Sequence, residues 1–225
     1  MAVAAAARRV VFLTGGTGYL GSRLIPGLLR RGHAVRAMAR RSSIDRLPPG
    51  CDVVTGDVFD RAALQHSMAG CDTIIQLVGT PKPTPWKGVQ FRAIDRASGL
   101  AAIEAARDIH AAHVVYVSVA HPAPIMQDYI AVRVECEAAI RASGLAATIV
   151  RPWYVLGPGH WWPLLLKPAY WLCERRPSTK DAAARLGLVT LEEMLTALVW
   201  AVEHPPESVR VLTVPDIRAI GSKPL

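Results

Sequence analysis

Eight residues, TGGTGYLG from Thr14 to Gly21, constrain the fold of this chain more than any other stretch. They separate an apolar, β-branched run, RRVVFLT, from GSRLIPGLLRRG, whose leucines and Ile25 recur at helical spacing. Gly15, Gly18 and Gly21 therefore fall in a strand–turn–helix with GxxGxxG spacing. In that context the first glycine permits a tight turn. The second lets backbone approach a pyrophosphate, and the third packs helix on strand. The helix N-terminus adds unpaired N–H groups and a partial positive charge. Thr14, Gly15, Thr17, Gly18, Tyr19, Leu20 and Gly21 are thus the expected phosphate loop of a dinucleotide site.

Strand-like and helix-like segments alternate beyond the loop. HAVRAMAR, CDVVTGD, CDTIIQLVG, HVVYVSVA and ATIVRPWYV read as strands. RAALQHSMAG, GLAAIEAARDIH and DYIAVRVECEAAIRASG read as helices. LVTLEEMLTALVWAVEHP is a strand, turn and helix, and VRVLTVPD is a last short strand. Continuously apolar strands between helices predict an α/β fold: a doubly wound parallel sheet of about seven strands. Residues 1–225 are expected to form one domain, with residues 156–188 as a small C-terminal substrate lobe or lid. The Trp-rich part of that lobe, residues 160–172, reads as a pocket lining, as a peripheral membrane or protein contact, or as core. TPKPTPWKG, before the helix that follows strand four, reads as a loop.

The second strand carries a further clue. A site for an unphosphorylated dinucleotide usually places Asp or Glu at the end of this strand, on the ribose 2′-hydroxyl. Here the segment is Met38-Ala39-Arg40-Arg41. A carboxylate would repel a 2′-phosphate, whereas a guanidinium binds one in bidentate fashion. NADP(H) is therefore expected over NAD(H), with Arg40 as the main phosphate ligand and Arg41 or Arg36 secondary.

The net charge of +8 is concentrated at residues 30–46 and at CERRP, with no nucleic-acid motif around either cluster. No apolar run reaches the ~20 residues of a membrane span, and no signal-peptide core precedes the first strand, so a cytoplasmic protein is expected. Cys51, Cys71, Cys136 and Cys173 form no CxxC pair, and no histidine spacing suggests zinc; no metal site is expected. Cys136 reads as core packing.

TGGTGYLG, VRAMAR, GDVFD, VYVSVA, YIAVR, IVRPWYVLGPG and the late LVTLEEMLTALVWAVEHP occur together and in order. In this the chain resembles the short-chain dehydrogenase/reductase superfamily, most of all its atypical and extended members, including NmrA-like and nucleoside-sugar epimerase-like proteins. The resemblance implies a Rossmann-like fold. It places Asp57 on the adenine amino group, Val58 beside that ring, and Val78 and Gly79 near the ribose and nicotinamide. It brings backbone near Pro152 and Val155 to the nicotinamide, Ser118 to the substrate oxygen, and Tyr129 to the role of proton donor. A homodimer through the helix bearing Tyr129 is a further implication.

Tyr129 and Arg133 stand four residues apart, on one face of a helix. A neighbouring cation stabilises a phenolate and suits the tyrosine to proton transfer. The family carries lysine where Arg133 stands, and the guanidinium is longer, planar and forked. Three outcomes fit the exchange: a working enzyme with adjusted geometry, a slow one, or a cofactor binder without turnover. The first implies an NADP(H)-dependent oxidoreductase acting on a carbonyl or alcohol of a small, fairly apolar substrate. The last implies a regulatory or assembly protein, like NmrA-like redox sensors or a complex I accessory subunit. A nucleotide-sugar epimerase or dehydratase is a third reading, poorly served by an apolar lobe.

Overall fold

The computed structural model describes residues 7–159 and 180–222. The apolar run before the glycine loop is strand β1 (Val10–Thr14), an interior strand of a seven-stranded sheet. Around it stand β2 (Ala34–Ala39), β3 (Asp52–Thr55), β4 (Thr73–Gln76), β5 (His113–Val117) and β6 (Ala147–Val150). The short β7 (Tyr154–Leu156) and β8 (Leu188–Thr190) pair with each other outside this sheet, and β9 (Val209–Leu212) closes it beside β6. The order is β3-β2-β1-β4-β5-β6-β9, all pairs parallel. It reverses direction between β1 and β4, so a crevice opens at the carboxyl ends of these two strands.

The helices are α1 (Gly21–Arg30), α2 (Arg61–Met68), α3 (Gly88–Gln90), α4 (Ala97–Asp108), α5 (Gln127–Ser143), α6 (Lys180–Arg185), α7 (Leu191–Glu203) and α8 (Val214–Gly221). Alternating strand residues face opposite helix layers. Val11, Leu13 and Val115 pack with Leu24 and Leu28 of α1 and with Met194, Leu198 and Val202 of α7. Phe12, Val114 and Tyr116 pack on the other face with Leu64, Ala102, Ala106, Cys136 and Ile140 of α2, α4 and α5. This double coverage is why the strands are apolar throughout rather than alternating.

The structure departs from the sequence reading in three places. ATIVRPWYV is two strands, β6 and β7, in different sheets. VRVLTVPD is not one strand: β9 ends at Leu212, and Thr213 and Asp216 then cap α8 reciprocally, with the Thr213 N–H donating to Asp216 at 2.8 Å. Pro215, in the first turn of α8, suits a helix start. The helix after β4 also begins earlier than GLAAIEAARDIH suggests. α3 runs into a wide π-type turn, Phe91–Arg96, before α4. Residues 160–179, which include the Trp-rich 160–172 and Cys173, lie outside the described residues.

Candidate active site

The glycine loop forms as the spacing requires. Gly15 has φ +76°, and a Cβ there would lie 2.9 Å from the Leu77 carbonyl carbon at the end of β4. A Cβ on Gly21 would run into the Gly15 carbonyl oxygen, with the Gly16 Cα at 2.7 Å. Backbone of the loop, of α1 and of β4 is thus packed at distances only glycine allows, and α1 starts directly behind the loop. Gly18 closes the turn through its N–H to the Gly15 carbonyl at 3.0 Å, and Ser22 Oγ donates to the Gly18 carbonyl at 2.8 Å. Thr14 is buried and donates through Oγ1 to Gln76 Oε1, tying β1 to β4 beneath the loop. Leu20 is the residue before α1, and the Arg23 guanidinium lies 4.4 Å over the ring of Tyr19. Thr17 gives its carbonyl to Arg46 Nη2 at 3.3 Å. Arg46, at the end of the 3-10 helix Arg41–Arg46 after β2, is a cation beside the loop that the sequence reading counted in the basic cluster but gave no role.

Thr14 pairs in register with Met38, so Arg40 and Arg41 leave β2 alongside the loop. Both are exposed, and neither makes an ion pair or side-chain hydrogen bond with any described residue. Arg36 differs, and its expected secondary role is corrected. It sits mid-strand on the face turned to α2, donates to the Ser67 and Ala69 carbonyls at 2.9 and 3.0 Å, and pairs with Asp52 at 3.2 Å. A guanidinium engaged this way braces β2 against α2 and is not available to a phosphate. Asp57 is exposed two residues beyond β3 and accepts from the Phe59 N–H at 3.1 Å, with Val58 half-buried beside it.

At the other side of the crevice, α5 carries Tyr129, Arg133 and Glu137 at successive fourth positions. Arg133 is buried and forms a short ion pair with Asp95 of the π-type turn. Its Nη1 donates to the Val117 carbonyl at 2.9 Å and weakly to the Tyr116 hydroxyl at 3.4 Å. Asp95 in turn accepts from the Thr80 N–H at 2.9 Å and the Thr80 hydroxyl at 2.6 Å. Gly79 lets this pair lie against backbone: a Cβ there would meet Arg133 Nη2 at 2.6 Å and Asp95 Oδ1 at 2.9 Å. Burial works against the guanidinium charge, but Tyr129, Tyr116 and Asp95 around it hold its pKa well above the ordinary arginine value. Burial pushes the pKa of the Tyr116 phenol far up.

Tyr129 is half-buried. Its ring packs on Phe91 of the same π-type turn, with centroids 4.9 Å apart, and over the Arg133 guanidinium at 5.0 Å. The tyrosine hydroxyl makes no hydrogen bond with a described residue. One π-type turn thus supplies both the wall for Tyr129 and the anion for Arg133, in keeping with the frequent use of such turns at functional sites.

The Ser118 hydroxyl is engaged by α5 one turn beyond Arg133. It donates to Glu137 Oε1 at 2.6 Å and is buried. Glu137 also binds Arg151 bidentately, through Nε at 2.8 Å and Nη2, and the exposed Arg141 at 3.3 Å; His121 Nε2 lies 3.6 Å away. Burial alone would raise the Glu137 pKa, but the hydrogen bonds from Arg151 and Ser118 hold it below the usual carboxylate value. Glu137 lies eight residues, or about 12 Å of helix, beyond Tyr129. The structure therefore brings Tyr129, Arg133 and Gly79 together and engages the Ser118 hydroxyl with Glu137, which also binds Arg151. Pro152 is buried and Val155 half-buried after β6, and Val78 is half-buried after β4, all at the carboxyl end of the sheet.

A family model described as NAD(P)H-binding matches residues 15–157. The ceramide reductase of Caulobacter vibrioides is 31% identical over 219 residues, covering 96% of this chain and 67% of that protein. The chain belongs to the extended short-chain dehydrogenase/reductase superfamily. Within this NAD(P)-binding reductase/dehydrogenase family, a farnesyl-dihydroquinoline-oxide ketoreductase of Stigmatella aurantiaca is 26% identical over 168 residues, covering 65% of this chain and 50% of that protein. The chain thus spans about two thirds of the length of the first relative and half of the second. In fold it is similar to Bordetella bronchiseptica WbmH in complex with NAD+, at 20% identity and a TM-score of 0.69, covering 92% of this chain and 76% of that one.

Asp95, Arg46 and the Glu137–Arg151 pair are the residues of this family member that sequence reasoning missed. Asp95 and Arg133 are 38 positions apart, and no local pattern links them. Cys136 is fully buried in the core, and burial raises its thiol pKa, as suits a packing residue. Among the described residues no group of His, Cys, Asp and Glu could hold a metal ion.

The loop carries its own test. Gly21→Ala is expected to cost at least about 2 kcal/mol of stability, because backbone on both sides must move. It is also expected to weaken dinucleotide binding about 100-fold, read as a fluorescence titration with NADPH and NADH. Undiminished affinity would mean that the loop does not hold the phosphates.

Proposed function

We propose that the chain is an NADP(H)-dependent oxidoreductase that interconverts a carbonyl and an alcohol on a small, fairly apolar substrate. The observation that carries this reading is the unengaged Tyr129 hydroxyl, held by Phe91 over a buried, permanently charged Arg133. The backbone cradle around Gly15 and Gly21, which a Cβ would fill, suits a dinucleotide pyrophosphate. Arg40 and Arg41, beside that cradle and without a carboxylate near them in the strand, support NADP(H) over NAD(H). The two relatives named above are named for a ceramide and for a farnesyl-bearing oxo compound, which supports an apolar substrate.

When bound, the nicotinamide supplies or accepts the hydride. Tyr129 gives its hydroxyl proton to the substrate oxygen in reduction and takes it back in oxidation. The Arg133 charge stabilises the phenolate left behind, and Asp95 and the Val117 carbonyl keep that charge from swinging away. Phe91 fixes the ring so that the hydroxyl needs little reordering before proton transfer.

A second reading, an NADP(H)-binding regulatory or assembly protein with little turnover, is favoured by one observation. The Ser118 hydroxyl, which would polarise the substrate oxygen, is taken up by Glu137. The experiment is a cofactor titration followed by a screen of apolar ketones. Arg40→Ala is expected to weaken NADPH binding about tenfold or more while leaving NADH unchanged. Tyr129→Phe is expected to lower kcat by about 10²–10⁴ with cofactor affinity intact. Robust turnover in Tyr129→Phe would remove the proton-donor role. Tight NADPH binding without turnover of any ketone would establish the second reading.

A further inference from the structure

The loop between β4 and α3 carries features that the proposed chemistry does not use. Trp86 is 83% exposed and Val89 is 75% exposed, and Ile125, just before α5, is 55% exposed. An indole this open leaves most of a large apolar surface in water. The three residues border one seam. A Cβ on Gly88, between Trp86 and Val89 in sequence, would run into the Asp128 carboxylate, three residues after Ile125. Next along the same seam Phe91 packs on Tyr129. The exposed apolar residues therefore stand at the edge of the site that holds the phenol.

The loop is built to keep its shape. Pro81, Pro83 and Pro85 restrict the backbone. Lys87 Nζ crosses back to donate to the Pro81 and Lys82 carbonyls at 2.9 and 3.0 Å, and the Lys87 N–H closes a turn on the Thr84 carbonyl at 3.1 Å. Lys82, Lys87 and Arg92 make no ion pair with a carboxylate among the described residues. The stretch from Pro81 to Arg92 thus presents a tryptophan and a valine among three uncompensated cations, on a chain of net charge +8.

We propose that this rim docks the protein on an anionic lipid bilayer, with Trp86, Val89 and Ile125 at the headgroup–acyl boundary and Lys82, Lys87 and Arg92 on the lipid phosphates. Charge complementarity selects this occupant: a wholly apolar partner would leave the cations without counter-charges, whereas an anionic surface satisfies both sets of residues. No helix among the described residues is long and apolar enough to cross a membrane. The proposal deepens the reading of an apolar substrate and rests on it for its purpose: a ketone dissolved in the bilayer reaches Tyr129 without crossing water.

The test is co-sedimentation of the full chain with vesicles of phosphatidylcholine alone and with a third phosphatidylglycerol, run at low and high salt. Wild type is expected to bind the anionic vesicles and to be released by salt. The double variant Trp86→Ser/Val89→Ser is expected to lower partitioning about tenfold, and Lys82→Glu/Arg92→Glu by at least about 25-fold, since each of the two lipid-facing cations counts for about fivefold. NADPH affinity should not change in either variant. Absence of wild-type binding, or full binding by Trp86→Ser/Val89→Ser, would overturn the proposal. So would sedimentation equilibrium showing that wild type self-associates without vesicles and that this variant does not. The nucleotide titration and ketone screen read the functional proposal separately, so failure of one does not imply failure of the other.

Discussion

Replacing Arg133 with methionine is expected to lower the free energy of unfolding by about 3–5 kcal/mol. The loss comes less from the pair itself than from what stays behind. Asp95 would keep its charge in a buried position, with Thr80 as its main remaining hydrogen-bond partner. The Val117 carbonyl would also lose a donor. The double variant Asp95→Asn/Arg133→Met is expected to regain much of the loss, because the asparagine amide can still accept from Thr80 without an orphaned charge. Arg133→Lys is expected to cost less, about 1–2 kcal/mol, since an ammonium keeps the charge but loses the planar fork that reaches Asp95 and Val117 together. Urea unfolding followed by tryptophan fluorescence checks all three. A loss under about 1 kcal/mol in Arg133→Met would show that the pair does not anchor α5 to the π-type turn.

Acidification should destabilise the protein well before its surface carboxylates titrate. His113 is fully buried at the start of β5, with Nε2 3.0 Å from Thr148 Oγ1. Burial first, then the charges of Arg9 and Arg210, lower its pKa to about 4. Between pH 6.5 and that value the unfolded chain binds a proton at this position and the folded chain does not. Stability therefore falls as pH falls through this window, by up to about 3 kcal/mol from this one group. Glu137 adds a loss of the same sign at lower pH: its depressed pKa stabilises the fold above the unfolded carboxylate value, and that contribution disappears as the group is protonated. Urea midpoints measured at pH 7.5 and 4.5 should differ accordingly, and His113→Gln should flatten the slope. An unchanged slope in that variant would assign the acid sensitivity to other groups.

The order of the elements and the glycine turn between β1 and α1 were legible in the sequence because their signals are local. TGGTGYLG needs only its flanking strand and helix to be understood, and the continuous apolar runs report burial on both faces. The last helix was missed although Thr213, Pro215 and Asp216 spell a capped start, because the apolar VRVLTV was read as strand to its end. Arg36 was grouped with Arg40 by composition, but strand alternation and the α2 carbonyls assign it to bracing.

What the sequence determined by itself was the α/β alternation, the tight glycine loop and the presence of a tyrosine and a cation on one helix face. Those follow from spacing along the chain. Only the tertiary structure decided what surrounds that cation. Asp95, 38 residues away, reaches Arg133 because a π-type turn and a glycine at position 79 let two backbones approach it. Only the tertiary structure, too, engaged the Ser118 hydroxyl with Glu137. Ion pairing in a low-dielectric interior is selected by proximity in space, and proximity in space at long sequence separation leaves no local pattern to read.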